Sequence, residues 1–387
     1  MEKELQDQLL LLMVVVQPNF SYIIMKIREA IYKDLEDIKA LCIRNGLRVT
    51  KINEEVWKNH PSINDFVDVP IGWVLENESK KIVGVILNLF MTYQLNGKNY
   101  KASVVSTWAV DDNYRSDSMN LIFKWIYQKN VDLLVDNRRT ERSSKILKSF
   151  KFKNVPTKDY EKIIYWVLDY PNFIKSAIKK KLKIQIGPIS IIPATILRFY
   201  DLVMNRNKNF YLNKKTIEVE SFDKKFDSFW NKLPKNNKFM AERDSSSLEW
   251  HFDRGIKKKI ISVLTLSNEN NLNGYIVIMR SDNKEIGLKR IKIVDIQTSS
   301  NIEEDTNNLI ANAIVYARKQ GVHILELTGF GKNIREQALK TNPYVRTLSY
   351  SPFFYKIMSE KLKNVFSDDI EWDANLFDGD GSLDAID

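Results

Sequence analysis

The sequence is poor in the residues from which metal centres and disulfide frameworks are built. One cysteine and three histidines occur in 387 residues, so no internal disulfide can form, and neither CxxC nor HExxH spacing is present to seat zinc. Cys42 lies in line with Leu35 and Ile38 on the apolar side of a helical pattern. It reads as a small buried hydrophobe in a chain suited to a reducing compartment. His60 and His323 have no cysteine or carboxylate at ligand spacing, and we expect no metal. Long apolar runs are missing too. Leu9 to Val16 falls far short of the roughly 20 residues that span a bilayer. The charges of Glu2, Lys3 and Glu4 cancel where a signal peptide would be basic. We therefore expect a cytoplasmic protein, with residues 1–24 an extension of little weight in the fold.

What is present is ordinary in bulk and uneven in distribution. An apolar fraction of 44% with 28% charged residues suits a globular chain, and the length suits two domains. The net charge is +10, yet the last twenty residues carry eight acids and no base, so the remainder stands near +18. A basic surface suits CoA phosphates, anionic saccharides, nucleic acid or anionic lipid without choosing among them. Nucleic acid is disfavoured, because the sequence holds no helix-turn-helix, zinc finger or aromatic RNA motif.

The chain is organised around residues 102–126. Ala102 to Val110 is rich in β-branched and aromatic residues and reads as a strand. Asp111-Asp112-Asn113 then turn the chain, and Ser116 to Ser118 offer caps for a helix. From Met119, apolar residues recur with a period of 3.6 at Leu121, Ile122, Trp125 and Ile126. A strand feeding straight into a helix sets unpaired backbone N–H groups and a positive dipole end at one point, a site fit for an anion.

The stretch from Val110 to Asn120 resembles the pyrophosphate turn of the GNAT N-acetyltransferase superfamily. Arg115 matches the family's Arg or Gln, whereas Ser118 and Asn120 occupy its two glycine positions. Asp117 adds a charge worth roughly 0.3–1 kcal/mol to a bare helix end and repulsive to a phosphate. A second likeness follows downstream: Asn137, Ser143 and Phe152 match the later motif of the family, Lys151 stands at its glycine, and Leu147 stands where many members carry a tyrosine general acid. The resemblance implies acetyl-CoA, or another acyl-CoA, as co-substrate. It also implies a phosphate cradle of Asp112, Arg115, Ser116 and Ser118, an oxyanion donor near Val110, and Asn137 as a further contact to the cofactor.

Element order in the second half, strands paired by turns and then β-α-β-α, resembles a second, divergent GNAT-like domain, in which Gln297-Thr298-Ser299-Ser300 follows the fourth strand. The fold class expected is α/β with two mixed central sheets flanked by helices. The first domain is set at residues 25–170, a basic and apolar linker at 171–215, the second domain at 216–367 and an acidic tail at 368–387. Lysines at 175–183 followed by the apolar stretch 189–204 suit either a membrane-surface helix, giving peripheral contact through 172–204, or an interdomain helix covering the sheet. His251 and Glu326 are candidates for a base, each with a packing or ion-pair reading beside it, and Trp250 is a surface on which a sugar or adenine ring would stack. Asp378 and Asp380 suggest calcium only until the missing bidentate glutamate is noticed. Trp372 with the Asp-Gly-Asp ending, and Pro352 to Lys356 before it, are similar to tandem GNAT-like proteins encoded with bacterial surface-polysaccharide machinery. We read the tail as an ordered segment closing a cleft. The expected activity is acyl transfer, most simply of acetyl, to an amine such as that of an amino sugar; the alternative is a non-catalytic saccharide-binding or assembly module on the same fold.

Overall fold

The computed structural model describes residues 25–137, 141–183, 191–204, 206, 212–268, 271–299, 302–349, 353–367 and 369–383. The reading of residues 1–24 as an extension lies outside them. β1 (Lys26–Glu29) pairs antiparallel with β2 (Gly72–Glu76), and between them α1 (Leu35–Arg44) buries Leu35, Ile38, Leu41 and Cys42. Burial pushes the Cys42 thiol up to about 11, so it is a packed group at neutral pH. β3 (Ile82–Leu95) and β4 (Lys98–Val110) form the long central hairpin. Its turn is Asn96-Gly97, both at positive φ of 50° and 75°, which matches the twist of the strands.

α2 (Ser118–Ile126) lays Leu121, Ile122, Trp125 and Ile126 on the sheet. A buried polar chain fixes it there: Trp125 Nε1 donates to Ser103 Oγ at 3.0 Å, Ser103 donates to Asn88 Oδ1 at 2.7 Å, and Gln128 Nε2 donates to Ser103 at 3.0 Å. β5 (Leu133–Asp136) runs parallel to β4. α3 (Glu141–Ser149) and β6 (Lys153–Asn154) follow. Lys151 between them sits at φ 61°, the left-handed region that glycine adopts freely.

β7 (Lys162–Val167) leads into two helices, α4 (Tyr170–Leu182) and α5 (Ile191–Val203). The second half then runs β8 (Ile217–Val219), α6 (Lys224–Lys232), β9 (Lys238–Ala241), α7 (Ser245–Lys257), β10 (Ile261–Asn268), β11 (Asn271–Arg280) and β12 (Arg290–Thr298). It ends with α8 (Ile302–Lys319), β13 (Ile324–Leu327), α9 (Lys332–Lys340), β14 (Tyr344–Thr347), β15 (Phe354–Ile357) and β16 (Glu371–Trp372).

Two mixed sheets result. The first has the order β1-β2-β3-β4-β5-β15-β6, with β9 on the far end of β3 and β16 on β9; the second has the order β14-β7-β13-β12-β11-β10-β8. The expected boundaries at residues 170 and 216 do not follow these sheets. β7, from the first half, lies between β13 and β14 of the second sheet, while β15, from the second half, lies between β5 and β6 of the first. The halves exchange a strand each.

Both sheets carry the same irregularity. In β4, Leu87 faces Thr107 and Asn88 faces Val105, which leaves Ser106 as an extra residue. In β12, Val277 faces Asp295 and Ile278 faces Ile293, which leaves Val294 extra. A bulge of this kind bends its strand. β4 then pairs with β5 only over Ala102–Val104, and β12 with β13 only over Arg290–Ile293. Beyond those points each parallel pair stands apart.

Candidate active site

The split between β4 and β5 lies beyond their last pairing, Val104 with Val135, at the level of Thr107, three residues on, and Asn137, two residues on. The buried polar atoms Asn137 Nδ2 and Asp380 Oδ1, which meet where the tail passes the end of β5, and Thr107 Oγ1 on β4 have no hydrogen-bond partner among the described residues. Folded chains rarely leave buried polar atoms unmatched, so a group of them marks a place where something else is to be bound.

Asp380 reaches the split from the far end of the chain. The tail crosses the first sheet as an almost wholly buried strip, with Asp378, Asp380, Ser382 and Leu383 each at most 1% exposed. Gly379 and Gly381 allow the close approach: a Cβ on Gly379 would lie 2.3 Å from the Asn137 side chain, while the Asp380 N–H donates to Asn137 Oδ1 at 3.3 Å. Lys51, from the segment after α1, forms a buried ion pair with the second oxygen of Asp380. Lys51, Asn137 and Asp380 thus converge from three distant parts of the sequence.

The neighbouring Asp378 serves another purpose. Its carboxylate accepts from the Ala241 and Asn375 N–H groups at 3.0 and 2.9 Å and from Arg243 Nη2 at 3.1 Å. Arg243 is fully buried, and its Nε donates to Asp295 of β12 at 3.0 Å, while Tyr275 and Asn375 donate to the same carboxylate. Burial raises the Asp378 carboxyl to about 6 against the pull of Arg243. These groups fill the space next to the second bulge. A cavity of only about 30 Å³, lined by Gln297, Thr298, Gly331 and Asn333, remains at the second split. That is room for little more than a water molecule.

The residues singled out by sequence fall into separate places. Val110 ends β4, and Asp112 to Asp117 make a short 3-10 helix before Ser118 opens α2. That turn is braced at its root, where Asp111 accepts from Arg44 and Asn45 at 2.7 and 2.8 Å. Its polar groups are engaged with one another: Arg115 pairs with Asp112 at 2.5 Å, and Ser116 donates to Asp117 at 3.1 Å. Asn137 lies apart from that turn, under the tail.

His251 is buried, with Nε2 on Ser382 Oγ. Burial first, then repulsion from Arg243, lowers it to about 3, so the ring is neutral in ordinary conditions. Trp250 is no free stacking surface. Its Nε1 donates to the Val56 carbonyl at 3.0 Å and its ring meets His60 edge-on at 4.6 Å. Glu326 is held on β13 between Arg290 at 3.1 Å and Arg346 at 2.9 Å, the ion-pair arrangement. Trp250 and Glu326 are engaged by these partners, while His251 meets the tail strip at Ser382, two residues past Asp380. Sequence reasoning overlooked Lys51, which lies just before a poorly patterned segment, and read Asp380 as a calcium candidate and as part of a tail closing a cleft, not as a base. The signal for Asp380 was the alternation of aspartate with glycine at residues 378–381.

No family model matches the chain, and no curated protein does. Solved structures do. A conserved protein of unknown function from Enterococcus faecalis V583, described as a probable N-acyltransferase, is 12% identical with a TM-score of 0.51, covering 86% of this chain and 72% of that one. A GCN5-related N-acetyltransferase from Anabaena variabilis ATCC 29413 gives the same identity, TM-score and coverage. At such identity the likeness is one of fold: the two mixed sheets with their flanking helices are arranged as in these two proteins.

Proposed function

We propose that the protein is an acyl-CoA-dependent N-acyltransferase whose donor slot is the split between β4 and β5. The observation that carries this reading is the bulge at Ser106, which parts two parallel strands beside a set of unmatched buried polar atoms. Past Val104, the β4 N–H groups that point towards β5 lack a strand partner. They suit the carbonyl of a thioester threaded between the strands. The amine nitrogen of the acceptor attacks that carbonyl, the C–S bond breaks, and CoA leaves as its thiolate. Asp380 takes the proton that the nitrogen sheds. Lys51 holds the carboxylate in position, and the pyrophosphate rests on the turn from Asp112 to Ser118, with Arg115 released from Asp112.

Acetyl is the simplest acyl group, and an amino sugar of a surface polysaccharide is the acceptor we favour; the basic surface supports an anionic acceptor. A second reading, a saccharide-binding module without catalysis, draws on the Arg115–Asp112 pair and on Ser118 and Asn120 in place of glycines. Calorimetric titration with acetyl-CoA separates the two. Saturable binding that weakens about tenfold or more in Arg115→Ala supports the transferase. No heat at millimolar ligand sinks it and leaves the binding module.

A further inference from the structure

α5 is buried the wrong way round. Its inward side presents Ala194, Leu197 and Asp201, of which Asp201 is 2% exposed and accepts hydrogen bonds from the hydroxyls of Tyr170 and Tyr344. Its outward side presents Ile192, Ile196, Phe199 and Val203, exposed by 67%, 65%, 66% and 63%. These follow one another at i, i+4, i+7 and i+11, a continuous stripe on the helix. A helix that docks only on its own protein has the opposite arrangement, apolar side in and polar side out. The stripe therefore awaits a partner.

Charge identifies the partner. Lys175, Lys179, Lys180, Lys181 and Lys183 on and just after α4, with Arg198 on α5, are the cations of this helix pair, and its one acid, Asp201, faces inward. Arg198 and Arg318 also line a groove of about 800 Å³ between α5 and the second sheet. A second copy docking through the same face would set these cations against themselves. We infer that α5 lies in the surface of an anionic lipid bilayer, its stripe among the acyl chains and the surrounding cations among the headgroup phosphates. No helix among the described residues is long and apolar enough to cross a membrane, so the attachment is peripheral. It is independent of the reading of the split as an acyltransferase site.

The test is co-sedimentation of the full chain with vesicles of phosphatidylcholine alone and of phosphatidylcholine mixed with phosphatidylglycerol, alongside sedimentation velocity without lipid. We expect binding to the mixed vesicles, weaker by about tenfold or more on plain phosphatidylcholine and in raised salt. It should be lost in Ile196→Asp/Phe199→Asp, whose side chains are mostly exposed, and weakened in Lys180→Glu/Lys181→Glu. Failure of the wild-type protein to sediment with mixed vesicles overturns the inference whatever the variants do. So does a wild-type dimer that Phe199→Asp converts to monomers, which would assign the stripe to contact between copies. Equal binding to both vesicle types overturns the part played by the cations.

Discussion

At the scale of single residues, two carboxyl groups have unlike surroundings and different expected roles. Asp380 is paired with Lys51 through one oxygen and leaves the other unmatched beside Asn137. If that oxygen receives the proton of the attacking amine, Asp380→Asn keeps the shape and removes the base. The expected result is a fall in kcat of about 10²- to 10⁴-fold with acetyl-CoA affinity retained; equal losses in both would make Asp380 a structural support. Glu242 is different. Burial, then repulsion from Asp244, raises its carboxyl from 4.5 to about 7. An acid whose pKa rises on folding costs stability above its folded pKa, and that cost vanishes below its unfolded pKa. Glu242→Gln should therefore stabilise the protein at pH 8 by about 1–2 kcal/mol after allowance for solvent screening, and by nothing at pH 4. Denaturant titrations at the two pH values check the sign. A stabilisation that stays constant with pH would show that Glu242 does not titrate between them.

At the scale of elements, the tail and the sheet edge obey close packing more than propensity. The strip around Gly379 is pressed so tightly on Asn137 that a methyl group has no room. Gly379→Ala should cost about 1–3 kcal/mol, the usual penalty of overpacking, and free the tail for proteolysis; an unchanged melting temperature would place the tail elsewhere in solution. This strip shows where the sequence was readable. The Asn96-Gly97 hairpin, the strand over Ala102 to Val110 and the amphipathic α2 announce themselves through turn chemistry and periodicity, because local forces decide them. β9, β14 and β16 are short strands that exist only through their partners, and nothing local marks them. Lys51 and Asp380 lie 329 positions apart. Their meeting is set by tertiary packing, which spacing along the chain does not encode. His251 and Glu326 drew notice as titratable groups in regular elements, yet burial neutralises the one and two arginines hold the other.

At the scale of the whole molecule, the exchange of β7 and β15 decides how the chain folds. A fragment ending at Tyr170 keeps β7 without β13 and β14 beside it, and lacks β15, leaving β5 and β6 unjoined. It also lacks the tail, and with it Tyr93's acceptor, the Asp378 carbonyl at 2.6 Å, and the partner of Lys51. Ring contacts add to the loss: Phe239 stacks on Tyr93 at 5.0 Å and Trp372 meets it edge-on at 5.7 Å, both from beyond residue 170. We therefore predict that the first half alone is not a folding unit, even though its order of elements reads as one complete domain. Expressed alone, residues 1–170 should show no near-ultraviolet circular dichroism and no cooperative melt. By contrast, a chain cut between α4 and α5 separates two pieces that each hold a strand the other needs. Co-expressed, those pieces should co-purify and melt together near the temperature of the intact protein, since the exchange ties them through two sheets. A cooperative melt of the first fragment by itself would mean that β7 can fold back into its own sheet, and that the exchange is one of two arrangements open to the chain.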